Sequence, residues 1–152
     1  HSSLPPSVAW HLWVWILPTS IHSPSKHNLQ SLADMTTQLK EHTEVLEARI
    51  QCLIDKLLAS YAKRYGDGGI AFDMVKGVKY YKLIQRDVKR STLNGNTGAC
   101  VHAFIHRQTG CVFKPASWKA PAKHVRYNLM DEVSFATCIQ DADWAGSYLY
   151  MK

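Results

Sequence analysis

The sequence predicts an α+β domain: an N-terminal amphipathic helix, an antiparallel sheet of about five strands and two short C-terminal helices. Three observations predict it. Leu39, Leu46 and Leu53 recur every seven residues, and Thr43, Ile50 and Leu57 form a second row at the same spacing. A glycine-rich stop, Gly66 with Gly68 and Gly69, then ends the helical period, and apolar residues begin to alternate. The alternating segments are joined by short turns, which favours antiparallel pairing with the helices on one side.

The first helix is expected over residues 35–65. Ile54, Leu58 and Tyr61 widen its apolar stripe beyond a strict heptad seam. Such a stripe fits packing on the domain's own sheet, and also pairing between subunits. A homo-oligomer formed through this helix is therefore expected. Residues 70–75 and 78–85 read as two strands around a Lys76-Gly77 turn. Residues 86–98 are polar, basic and rich in Gly and Asn, as an exposed loop is. A third strand follows at 101–107, a turn at Gln108, Thr109 and Gly110, and a fourth strand at 111–114. Pro115 and Pro121 exclude a regular element between them. Pro121 suits the first position of a helix running to Asn128. A further helix is expected over 133–142 and a last strand over 147–151.

Residues 1–34 differ from the rest. They hold Lys26 and Asp34 as their only formal charges, with three of the five tryptophans, Trp10, Trp13 and Trp15. They show no sustained period, and patterned sequence starts at Met35. The expected organisation is a non-native or disordered leader over 1–34, with translation starting at Met35, and one domain over 35–152. A Trp-rich segment that touches a membrane surface or a partner is the alternative for the leader. The longest apolar stretch, residues 8–17, is about half of what a membrane span needs. No basic region precedes it, as an export signal would require. No membrane partner is expected. The four cysteines form no C-x-x-C pair, and free, mostly buried thiols in a reducing compartment are expected.

The whole formal charge of +6 falls within residues 35–152. A basic balance favours anionic partners. The charge concentrates in residues 114–128, where Lys114, Lys119, Lys123 and Arg126 accompany His124. In the expected helix, Lys123 and Arg126 share a face, and free N–H groups at its start add an anion site. Arg126 offers a planar fork for phosphate. Ser117 and Asn128 can hydrogen-bond, and Trp118 is either a core anchor or a surface for a stacked base.

Sequence patterns for catalysis are missing: the chain has no G-x-S-x-G, Walker loop, H-E-x-x-H or G-x-G-x-x-G. No catalytic residue and no cofactor is expected. His102 and His106 lie near Cys100 and Cys111, but residues four apart on a strand sit about 13 Å apart, too far for one ion. No metal is expected.

Residues Val101 to Ile105, Thr109-Gly110, Val112, the S-W-K-A-P-A-K segment at 117–123, Arg126, Asn128 and Ala145-Gly146 resemble a group of short bacteriophage hypothetical proteins. The resemblance runs from about Tyr61 to the C-terminus. In size and layout the group is similar to phage anti-Thoeris proteins, which sequester cyclic ADP-ribose signals at subunit interfaces without cleaving them. That similarity implies an oligomer in the host cytoplasm. It places Arg126 and an arginine of a second copy on the phosphates, with Phe104 or Trp118 against the base. It also implies a helical arginine, Arg64 or Arg49. Tyr127 departs from the pattern, which has Gly after the arginine.

The expected function is non-enzymatic sequestration of a phosphate-bearing nucleotide. The alternatives are a basic nucleic-acid-binding phage protein, and a phage structural or assembly protein without a small ligand. The expected ligand residues are Phe104, Lys114, Ser117, Trp118, Lys119, Lys123, Arg126, Asn128 and Arg64.

Overall fold

A computed structural model describes residues 24–88 and 98–151. Two compact units divide between His42 and Thr43. Helix α1 spans Pro24–Tyr65, so residues 24–34, placed by sequence in the leader, are helical. Residues 1–23, with the tryptophan cluster, lie outside the described residues. So do residues 89–97, most of the expected basic loop.

The second unit explains the apolar rows of α1. Leu46, Ile50, Leu53 and Leu57 are wholly buried, and they pack with Tyr81, Leu83, Ala103, Ile105 and Val112 of the sheet. Spacings of three, four and seven put these four side chains on one face. In the first unit the same face of the helix is bare: Leu32, Met35 and Leu39 are exposed. Lys63 and Arg64 in the last turn complement the helix dipole. The N–H of Gly66 closes the helix on the Ala62 carbonyl.

The sheet is a meander, β1 (Ile70–Lys76), β2 (Tyr80–Asp87), β3 (Cys100–His106), β4 (Cys111–Phe113) and β5 (Tyr127–Asn128), antiparallel throughout and in chain order. Val75, Lys82, Phe104 and Phe113 align across four strands, as do Lys76, Tyr81, Ile105 and Val112 one residue away. The second row meets α1 and the first faces the other way. Gly110 turns β3 into β4 with φ at +82°, and a Cβ there would lie 2.6 Å from Met130 Cγ. Only glycine suits that position.

Helix α2 (Glu132–Asp141) follows, capped by Asp131, whose carboxylate accepts the Ser134 N–H. Two cations of α1 hold the C-terminal region. Arg49 donates to the Leu129 carbonyl and to Glu132, with its guanidinium over Phe135. Lys56 donates to the carbonyls of Ile139 and Gln140, which the end of α2 leaves without helical partners. The Ser60 hydroxyl accepts the Trp144 N–H.

Two expected elements are replaced. Residues 121–128 form no helix. Pro121 instead bridges to Pro115, the Ala122 N–H reaches the Lys114 carbonyl, and Arg126 N–H reaches the Val112 carbonyl. The segment is the returning side of a hairpin arm. His124, at φ +74°, stands in the left-handed region that a continuing helix cannot use. Residues 147–151 are not a strand: Ser147–Leu149 is a 3-10 turn. Tyr148 and Leu149 are both buried, whereas a strand would send neighbours to opposite faces. Among the described residues all four cysteines are free thiols. Cys138 alone is buried, and Cys52 and Cys100 are exposed, against the expectation of mostly buried thiols. No described helix is long and apolar enough to cross a membrane.

Candidate functional site

The arm between β4 and β5 carries most of the expected site residues. At its tip the Ser117 hydroxyl accepts the N–H groups of Lys119 and Ala120, and the Ala120 carbonyl accepts those of Ala116 and Ser117. Ser117 thus builds the turn. That turn presents Trp118, which is 49% exposed, and leaves Lys119 and Lys123 in solvent.

Trp118 meets the sheet through Lys82. The Lys82 ammonium lies 5.0 Å from the centre of the Trp118 ring and 5.6 Å from that of Phe104. A cation against ring faces is stabilised by the ring quadrupole. Phe104 is only 2% exposed, so its ring is covered on this face. Tyr80 packs edge-on against Phe104, His106 and Phe113, and Lys79 sits 5.6 Å from the Tyr80 ring. The sheet face away from α1 is therefore an aromatic layer interleaved with lysines. Sequence supplied Phe104 and Trp118. Lys82 and Tyr80 are not legible in the sequence as site residues, because strand alternation gives a face but not what crosses it from another hairpin.

Arg126 is committed elsewhere. Its Nε donates to the Leu149 carbonyl at 2.6 Å, and Nη1 donates to the carbonyls of Lys123 and His124 at 2.8 and 2.6 Å. These bonds tie the arm to the C-terminal turn. Asn128 is also structural: its side-chain oxygen accepts the Met130 N–H, and its own N–H donates to Ser134. Arg64 lies on the last turn of α1 with its guanidinium over Tyr65. Lys114 is separate from the Trp118 group, and its ammonium stands 4.8 Å from the Tyr150 ring.

The other site was not legible in the sequence. A bulge in the β2–β3 ladder pairs Leu83 with Ala103 and Ile84 with Val101, leaving His102 without a register partner. Bulges re-aim side chains in this way. His102 is 6% exposed and its Nε2 lies 2.8 Å from the Tyr148 hydroxyl. Burial pushes its pKa down to about 4, against a smaller opposing pull from Asp143, so the ring is neutral near pH 7. Burial likewise holds the Tyr148 phenol well above its ordinary range. His106 differs: its Nδ1 accepts the N–H groups of Gln108 and Thr109 in the β3–β4 turn. Among the described residues no three His, Cys, Asp or Glu side chains group to hold a metal ion.

No curated protein and no solved structure matches the chain. The chain belongs to a family of unknown function (DUF7717), matched over residues 25–151.

Proposed function

We propose that this member of the family binds a phosphate-bearing nucleotide without cleaving it, on the sheet face away from α1. The observation that carries the reading is the half-exposed Trp118 ring with the Lys82 ammonium 5.0 Å from its centre. A nucleobase stacks on the free part of the indole, and its phosphates meet Lys82, Lys119 and Lys123. Aromatic stacking and nearby cations together favour nucleotides over other anions. Sequestration of a cyclic ADP-ribose signal in the host cytoplasm, as an anti-defence phage protein, is the specific form of this reading.

The phosphate role expected of Arg126 passes to the three lysines, because the guanidinium already serves three carbonyls. Oligomer formation belongs to the same proposal. Leu46, Ile50, Leu53 and Leu57 are buried within their own unit, so the described apolar residues of α1 open to a second copy include Leu32, Met35 and Leu39.

One observation favours a second reading. Tyr80 and Lys79 carry the pairing of ring and cation further across the same face, as a platform for several bases of a single strand would require. Calorimetric titration with cyclic ADP-ribose isomers, cyclic oligonucleotides and single-stranded oligonucleotides separates the two. Binding of a cyclic nucleotide that Trp118→Ala weakens by about tenfold, the scale of one lost stacking contact, supports the first reading. Binding only to longer strands, weakening with salt, supports the second. Heat from none of these ligands refutes both.

A further inference from the structure

A cavity of about 320 Å³, with Trp118 not among its walls, opens between β3, the base of the arm and the C-terminal turn. Gln85, His102, Lys114, Trp144, Gly146 and Tyr150 are among its walls. This volume falls at the lower end of small-molecule sites, which run from roughly 300 to 1,000 Å³. The chemistry of the walls is specific in three respects.

The first is a directed donor. The Tyr148 hydroxyl is buried, and the acceptor within its reach is His102 Nε2. Assigning the buried phenol as the donor to that acceptor places the imidazole proton on Nδ1. No fully buried side-chain nitrogen or oxygen among the described residues lacks a partner. Nδ1 bonds to no described group, so it opens onto the cavity that His102 lines. In that tautomer the Nδ1–H is the donor left for a ligand acceptor.

The second is charge. Lys114 brings an ammonium whose described neighbour is the Tyr150 ring, and none of the described wall residues carries a carboxylate. The nearby Asp143 turns to its own loop, accepting from the Gly146 N–H at 2.9 Å and from the Ser147 hydroxyl at 2.5 Å. The third is shape. Trp144 and Tyr150 supply flat apolar wall, and Gly146, at φ +82°, brings bare backbone to the His102 ring.

We propose that this cavity is a binding site for a small aromatic carboxylate, with Lys114 and His102 Nδ1–H on the carboxylate and the ring beside Trp144 and Tyr150. One ammonium and one neutral donor match a single negative charge. A phosphate monoester, with a charge near −1.5 to −2 at pH 7, would be under-neutralised. The site is independent of Trp118 and Lys82 and stands whether or not the nucleotide reading does.

The test is calorimetric titration of the full chain with benzoate and naphthoate, with benzamide as the uncharged control. The expected result is a carboxylate Kd of about 1 mM or tighter, with benzamide weaker by about tenfold. Lys114→Met, at a partly exposed position, should lower carboxylate affinity about tenfold, and Trp118→Ala should leave it unchanged. Nitrogen NMR of the imidazole should place the His102 proton on Nδ1 and move that resonance when naphthoate is added. No binding of either acid at about 10 mM, equal binding by Lys114→Met, or an unmoved His102 resonance would overturn the proposal.

Discussion

Replacing Arg126 with methionine should destabilise the protein without removing the positive charge that serves a nucleotide. Methionine keeps the apolar stem and deletes the donors to Leu149, Lys123 and His124. A hydrogen bond from a charged donor is worth roughly 1.5–3 kcal/mol. The Leu149 bond is part-buried and keeps most of that value, whereas water replaces the other two at exposed positions. The sum is about 2–3 kcal/mol, or a fall in Tm of about 10 °C for a domain near 100 residues. Circular dichroism melting measures it, and Arg126→Lys should recover only part, because an ammonium cannot span the fork. A methionine variant melting within about 2 °C of the parent, yet unable to bind any cyclic nucleotide that the parent binds, would refute the reasoning. It would return Arg126 to the ligand.

Leu53→Ala and Leu39→Ala change the same residue type in the same seven-residue row, but Leu53 is wholly buried and Leu39 is 65% exposed. Leu53→Ala should cost about 3 kcal/mol in urea unfolding, and Leu39→Ala less than about 0.5 kcal/mol at low protein concentration. A concentration-dependent loss at Leu39, seen by sedimentation, would locate a subunit contact there. His102 makes stability depend on pH. Its folded pKa, about 4, lies below the unfolded value of 6.5, so its contribution is complete above pH 6.5 and is lost as pH falls towards 4. The loss is of order 3 kcal/mol. His102→Gln should flatten the stability profile between those two pH values, and an unchanged slope would contradict a buried neutral imidazole.

The long helix, the β1–β2 hairpin and α2 were legible because each is a local pattern. Seven-residue spacing, alternation and a capping residue are all written within one segment. The arm is not legible in the sequence, because Pro121 fits both the first turn of a helix and the edge of a hairpin. The choice fell to partners elsewhere in the chain, Pro115 and the Val112 carbonyl. Trp118 was legible as a flat group among lysines, but Lys82, which sits between its ring and Phe104, comes from a strand more than thirty residues earlier. His102 left no local signal at all. Its burial depends on a register shift between β2 and β3, and its partner Tyr148 belongs to a turn read as a strand. Arg126 carries the plainest lesson. A guanidinium in a basic segment suggests phosphate, yet backbone carbonyls compete for the same donors.

The pair of prolines at the base of the arm bears on how these molecules avoid one another. β1 and β5 are the outer strands of the sheet, and the arm prolongs the β5 side. An outer strand invites a stranger's backbone to extend the sheet, which is how ordered aggregates begin. Pro115 and Pro121 offer no amide hydrogen on either side of the arm, so a foreign strand advancing past β5 loses its ladder at that point. Substituting Pro121 would restore a donor on the outer side, and its cost would be read less in melting temperature than in shelf life at high concentration.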